Sequence, residues 1–123
     1  MISIERVHEM LEEIADTFPA AFFEELNGGI CLLPEAKHSP HALKNSQLYI
    51  LGEYHHNQLG RYIYLYYGSF CRIYGHLGEE DFYEKLRHTV AHEFTHHLEN
   101  LGGQRDLEIQ DELDMLRYLA EDE

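Results

Sequence analysis

At 123 residues the chain has the length of one domain, 1–123, and 44% hydrophobic residues supply a modest core, which argues against disorder. A net charge of −14, with nine scattered Lys and Arg, excludes the clustered basic surface that a nucleic-acid backbone demands. The N-terminus MISIERVHEMLEE lacks a basic, apolar leader and no apolar run is long enough to span a bilayer, so the sequence predicts no membrane segment, no signal peptide and a cytoplasmic location.

Residues 3–16 predict an amphipathic helix with Ser3 as N-cap, Glu5 in the first turn, and Ile4, Val7, Leu11 and Ile14 as its buried stripe. His8 has no His or Cys partner at helical spacing and reads as a surface residue. Pro19 suits the start of a short helix to Leu26, stopped by Asn27-Gly28-Gly29. Ile30–Leu33 reads as a buried strand ended by Pro34, and residues 34–46, with His38 and His41, as a loop. Cys31 and Cys71 form no C-x-x-C pair, so two free thiols are expected.

Leu48–Tyr54 and Arg61–Tyr67 are rich in β-branched and aromatic residues and predict a hairpin joined by a longer loop, His55–Gly60. In the second strand, Tyr62, Tyr64 and Tyr66 alternate with Ile63, Leu65 and Tyr67, a pattern suited to a half-wet sheet face or a peptide-binding edge. Gly68–Gly75 is equally compatible with a third strand and a turn of helix. A long helix follows from Glu79 or Glu80 to about Asn100, ended by Gly102-Gly103, and a final amphipathic helix from Leu107 to Leu119.

The long helix carries H-E-x-x-H as His92, Glu93 and His96. Positions i and i+4 stack on one helical face, so both imidazoles can reach one zinc ion. Glu93 lies about 100° around the helix, from where a carboxylate can take a proton from a water that the ion has acidified. Leu86, Val90, Phe94, Leu98 and Leu101 form an apolar stripe roughly opposite the His pair, which therefore faces a cleft or solvent. A hydrolytic zinc site usually adds a third protein ligand. Glu99 sits too far along the axis to converge easily with both histidines. After the glycine pair, Asp106, Glu108, Asp111 and Glu112 arrive, and spacing does not separate Asp106 from Asp111.

With these motifs in place, the chain resembles the zincin-like metallopeptidases of small bacterial proteins, the minimal zincins. The resemblance rests on His92-Glu93-Phe94-Thr95-His96-His97, Leu48–Tyr54, Tyr66–Phe70 and Asn27–Ile30, and covers nearly the whole chain. It implies an α+β fold, a small β-sheet packed against the H-E-x-x-H helix with flanking helices, with His92 and His96 as zinc ligands and Glu93 as general base. The family pattern ends in G-x-x-D. Here Gly103-Gln104-Arg105-Asp106 supplies it four residues late, making Asp106 the first choice for third ligand and Asp111 the second. The expected activity is zinc-dependent cleavage of a peptide or protein substrate. The rival reading is a zinc-binding or protein-interaction module without turnover; a metal-dependent ribonuclease loses on charge.

Overall fold

The computed structural model describes residues 1–39 and 48–102. The predicted helix 107–119, Asp106, Glu108, Asp111 and Glu112, and His41 of the loop, lie outside the described residues.

Ile4–Asp16 forms α1, begun by Ser3, whose hydroxyl accepts from the Arg6 amide at 3.1 Å. Val7, Met10, Leu11 and Ile14 are buried, while Ile4 is half-buried, so the stripe is centred on Met10 rather than on the first turn. His8 is exposed, as expected. The expected helix after Pro19 shortens to a 3-10 turn, Ala20–Phe23. The described chain then continues through β1 (Ile30–Leu33), β2 (Lys37–His38), β3 (Tyr49–Ile50), β4 (Gly52–Asn57), β5 (Gly60–Tyr66), α2 (Tyr67–Tyr74) and α3 (Glu79–Gly102).

The main sheet has the order β1-β5-β4, with β1 parallel and β4 antiparallel to β5, and β2 pairs with β3 in a separate two-stranded ladder. The chain is thus an α+β structure in which, among the described residues, small sheets pack with three helices. β1 lies at an edge of the main sheet and all four of its residues are half-buried, rather than enclosed as expected. Gly68–Gly75, open in the sequence, is the body of α2.

The hairpin departs from expectation. His55, His56 and Asn57 belong to β4, and the turn is two residues, Gln58 and Leu59, closed by the Asn57–Gly60 pair. His55 gains a stacking partner in Tyr62, with ring centres 5.0 Å apart, and a 3.1 Å contact to Glu53. Asn27 braces the turn from outside: its amide donates to the Leu59 carbonyl at 3.2 Å and its oxygen accepts from the Arg61 amide at 2.9 Å. Gly60, at φ +114°, packs directly against that Asn27 side chain, so both its conformation and the space exclude a Cβ.

Ile63 and Leu65 point inward from β5 and are fully buried, while Tyr62 and Tyr64 on the opposite face are half-buried. Tyr67, assigned by alternation to the strand, starts α2 and donates its hydroxyl to the Ile2 carbonyl at 2.6 Å. The core joins α1, the 3-10 turn, the inner sheet face and α3. Its centre on α3 is Phe94, whose ring lies 5.2, 5.5 and 5.1 Å from those of Phe18, Phe22 and Phe23.

Phe94→Ala should therefore lower the unfolding free energy by about 3–5 kcal/mol, the cost of emptying a packed aromatic site. Urea denaturation beside the exposed control His8→Ala measures it, and similar midpoints for the two would contradict the assignment of Phe94 to the centre of the core.

Candidate metal centre

α3 is buried on more than one side. Leu86, Val90, Phe94 and Leu98 enter the core, and Thr89, Glu93 and His97, spaced by four, are buried as well. Gly52 of β4 lies beside this second row. A Cβ there would stand 3.2 Å from Thr89 Cγ2 and 3.3 Å from Glu93 Cγ, so the missing side chain lets strand and helix approach. His92 and His96 occupy the exposed face.

Their Nε2 atoms are 3.2 Å apart. Two nitrogens bound to one tetrahedral zinc ion at 2.0–2.1 Å stand about 3.3 Å from each other, so the rings already converge as a shared ligand pair requires. The same contact is a hydrogen bond when one ring carries the proton. One possible ligand atom from each of His92, Glu93 and His96 lies within 4.8 Å of the others, so the three can hold a metal ion. His96 Nδ1 stands 3.9 Å from a Glu99 oxygen, which places Glu99 behind the ring. Burial, and then the neighbouring His96 and His88, hold the His92 imidazole below its ordinary pKa and favour the neutral form that binds metal.

Two lobes of a groove meet at this group. One, of about 390 Å³, is lined by Ile50, Leu51, Tyr74, Lys85 and His88 among others. The second, of about 540 Å³, is lined by Glu53, Tyr54, His96 and Asn100. Gly52, His92 and Glu93 border both.

Two carboxylates at this junction have opposite environments. Glu93 is 5% exposed, and burial, with the nearby charge of Glu53, pushes its carboxyl up to about 7. Burial works on Glu53 in the same direction, but hydrogen bonds from Lys37, Tyr66 and His55 outweigh it and hold Glu53 below its ordinary value. Lys37 Nζ and the Tyr66 hydroxyl each approach Glu53 to 2.6 Å.

The structure brings His92, Glu93 and His96 together as the motif spacing predicts, while Asp106, Asp111 and Glu108 fall outside the described residues. Tyr54, Tyr66 and His97 are candidate oxyanion donors by residue type, but their protons are otherwise engaged. Tyr66 donates to Glu53, and His97, fully buried, meets the Glu24 carbonyl through Nε2 and the Tyr54 hydroxyl through Nδ1, both at 2.8 Å. Glu53 is a site residue that sequence reasoning missed; its signal was an acid flanked by apolar and aromatic residues in a predicted strand.

These features define an α+β protein with a His-Glu-His group, able to hold a metal ion, on the wall of a groove. The chain belongs to the same family as a conserved hypothetical protein from T. thermophilus, with 34% identity and a TM-score of 0.68 over 84% of this chain and 100% of that one. No family profile and no curated protein matches the chain. Among the described residues, no helix is long and apolar enough to cross a membrane.

The raised Glu93 pKa carries a stability consequence. An unfolded Glu ionises near pH 4.5, whereas buried Glu93 retains its proton until about pH 7. Between these values the unfolded chain releases a proton that the folded one keeps, so this group's contribution falls as pH rises and levels off above 7. Without metal, Glu93→Gln should raise stability by up to ~3 kcal/mol at pH 8 and change it little at pH 4. Thermal unfolding of both proteins across that range checks this; a constant difference would refute the assigned shift.

Proposed function

We propose that this chain is a zinc-dependent peptidase of the zincin-like kind, in which His92 and His96 hold the ion and Glu93 is the general base. The observation that carries the reading is the 3.2 Å approach of the two Nε2 atoms beside a nearly buried carboxylate at the junction of two groove lobes.

Bound zinc supplies Lewis acidity, polarising a carbonyl and lowering the pKa of water towards ~7. Hydrolysis adds one water across the peptide bond, oxygen to the acyl carbon and a proton to the departing amine. Glu93 handles that proton: its carboxylate takes it from the attacking water and returns it to the amine nitrogen. Without metal, burial and Glu53 push this carboxyl up to about 7; a cation held beside it would favour the carboxylate form that takes the proton. Glu93 packs beside Gly52 and is nearly buried, which restricts the directions its carboxyl can take.

β4 is an edge strand of the main sheet, and Gly52, Glu53 and Tyr54 from it line the groove. An extended peptide can add to such an edge by backbone hydrogen bonds, which suits a peptide substrate and leaves the choice of sequence to side-chain pockets. Net charge −14 disfavours a nucleic-acid substrate. The choice of Asp106, or next Asp111, as third ligand stands as part of this proposal.

Protein purified without chelators should contain about one zinc per chain, and His96→Ala essentially none, by elemental analysis. Glu93→Gln should retain zinc while losing at least ~100-fold of the hydrolysis of a test peptide such as oxidised insulin B chain. Zinc in both wild type and Glu93→Gln, with no cleavage by either, would favour the non-catalytic zinc-binding module.

A further inference from the structure

The two lobes that meet at the His-Glu-His group differ in chemistry. The second, beside Glu53, Tyr54, His96 and Asn100, has no aliphatic side chain among the described residues. The first, of about 390 Å³, is lined by Tyr49, Ile50 and Leu51, in and just after β3, and by Tyr74, the last residue of α2. Its volume lies within the range of ligand pockets, which are mostly apolar with a few polar groups.

Tyr74 is fixed by its surroundings. It packs against the core, with its ring centre 6.2 Å from that of fully buried Phe70. Lys85 Nζ lies 5.6 Å from the centre of the same ring, so the ammonium in this lobe is set against an aromatic face. The backbone is held as well: the Gly75 amide donates to the Cys71 carbonyl at 2.9 Å, and the Leu77 amide to the Tyr74 carbonyl at 3.0 Å. Leu51 also packs against the core. Walls anchored in this way resist withdrawal, so they limit what can enter.

We infer that the lobe beside Tyr74 seats a large apolar side chain of the substrate residue next to the cleaved bond, with Tyr74 as the specificity-determining residue. The inference rests on the peptidase reading and deepens it by naming the substrate class. Gly52, His92 and Glu93 border both lobes, so a chain crossing that junction places neighbouring residues in two unlike environments. Removal of apolar surface from water draws a large apolar side chain to the first lobe, a gain the polar lobe does not offer. Tyr74 then sets how large that side chain can be, because overfilling a packed site is as unfavourable as leaving it empty.

Zinc-loaded wild type is first given oxidised insulin B chain, and the cut positions are read by mass spectrometry. Cuts should fall beside large apolar residues, and replacing that residue by Ala in the shortest cleaved fragment should lower kcat/KM at least ~10-fold. The fragment is then remade with Ala, Leu or Trp at that position. Tyr74→Leu, which opens the lobe, should raise the Trp-to-Leu ratio of kcat/KM about 10-fold, and Tyr74→Trp, which fills it, should raise the Ala-to-Leu ratio by a similar factor. Each ratio is taken within one protein, so general damage to the fold, which lowers both rates together, does not move it. Should Tyr74→Leu fail to fold, the shift in Tyr74→Trp decides alone. Cuts beside acidic residues, cuts without regard to the neighbouring side chain, or ratios unchanged in the Tyr74 variants overturn the inference and leave the peptidase reading standing. Zinc-loaded wild type that cuts no peptide overturns the peptidase reading, and the pocket assignment with it, through a blank in the wild type rather than a difference between substrates.

Discussion

The rotation of α3 about its own axis is the constraint on which the site depends. Adjacent residues on a helix differ by about 100°, and the sequence His92-Glu93-Phe94 assigns three successive directions to three environments. Phe94 is clamped among Phe18, Phe22 and Phe23. That clamp fixes where its neighbours point. Glu93 is turned against β4, where Gly52 leaves room for it, and His92 with His96 is turned outward. A small roll of the helix would bury an imidazole or expose the phenylalanine, so packing of an apolar ring sets the aim of polar groups it does not touch.

The cost of this arrangement falls on Glu93. A carboxylate removed from water is disfavoured unless something nearby compensates its charge, and Glu53 adds repulsion to the burial. Glu53 stands close by and does not meet the same fate, because Lys37, His55 and Tyr66 all reach it. The sheet therefore splits two like acids into a held anion and a group that keeps its proton towards neutrality. A cation held by His92 and His96 would relieve the buried carboxylate directly, which couples metal affinity to folding stability through one side chain.

Local pattern made part of this legible. The four-residue repeats of Leu86, Val90, Phe94 and Leu98 placed α3 and its His face, and Ser3 placed the start of α1. The alternation of Ile63 and Leu65 with tyrosines marked the faces of β5. What failed had its causes elsewhere in the chain. His55-His56-Asn57 is polar and reads as loop; it is strand because β5 pairs with it, Tyr62 stacks on His55, and Asn27 carries the hydrogen bonds that brace the turn. No window around residue 57 contains Asn27. Glu53 is likewise ordinary in sequence, and becomes a site residue only when Lys37 and Tyr66 are brought to it.

His96 and His97 show the same limit most sharply, being one residue type in adjacent positions with opposite fates. His96 keeps both nitrogens near the exposed face, where water or a metal can satisfy them. His97, one step around the helix, enters an interior where every polar atom needs a protein partner. One partner comes from β4 as Tyr54. The other is the Glu24 carbonyl, at the point where the chain leaves the 3-10 turn in an extended conformation and Glu25 then takes φ +60°. A left-handed residue with a Cβ costs roughly 1–2 kcal/mol, and it persists where surrounding contacts over-determine it. The bond from His97 supplies such a contact, since it satisfies the carbonyl just before the strained residue. The doubled histidine thus fastens α3 both to the turn that packs on Phe94 and to the strand that lines the groove, so the imidazole that holds no metal helps fix the walls around the two that can.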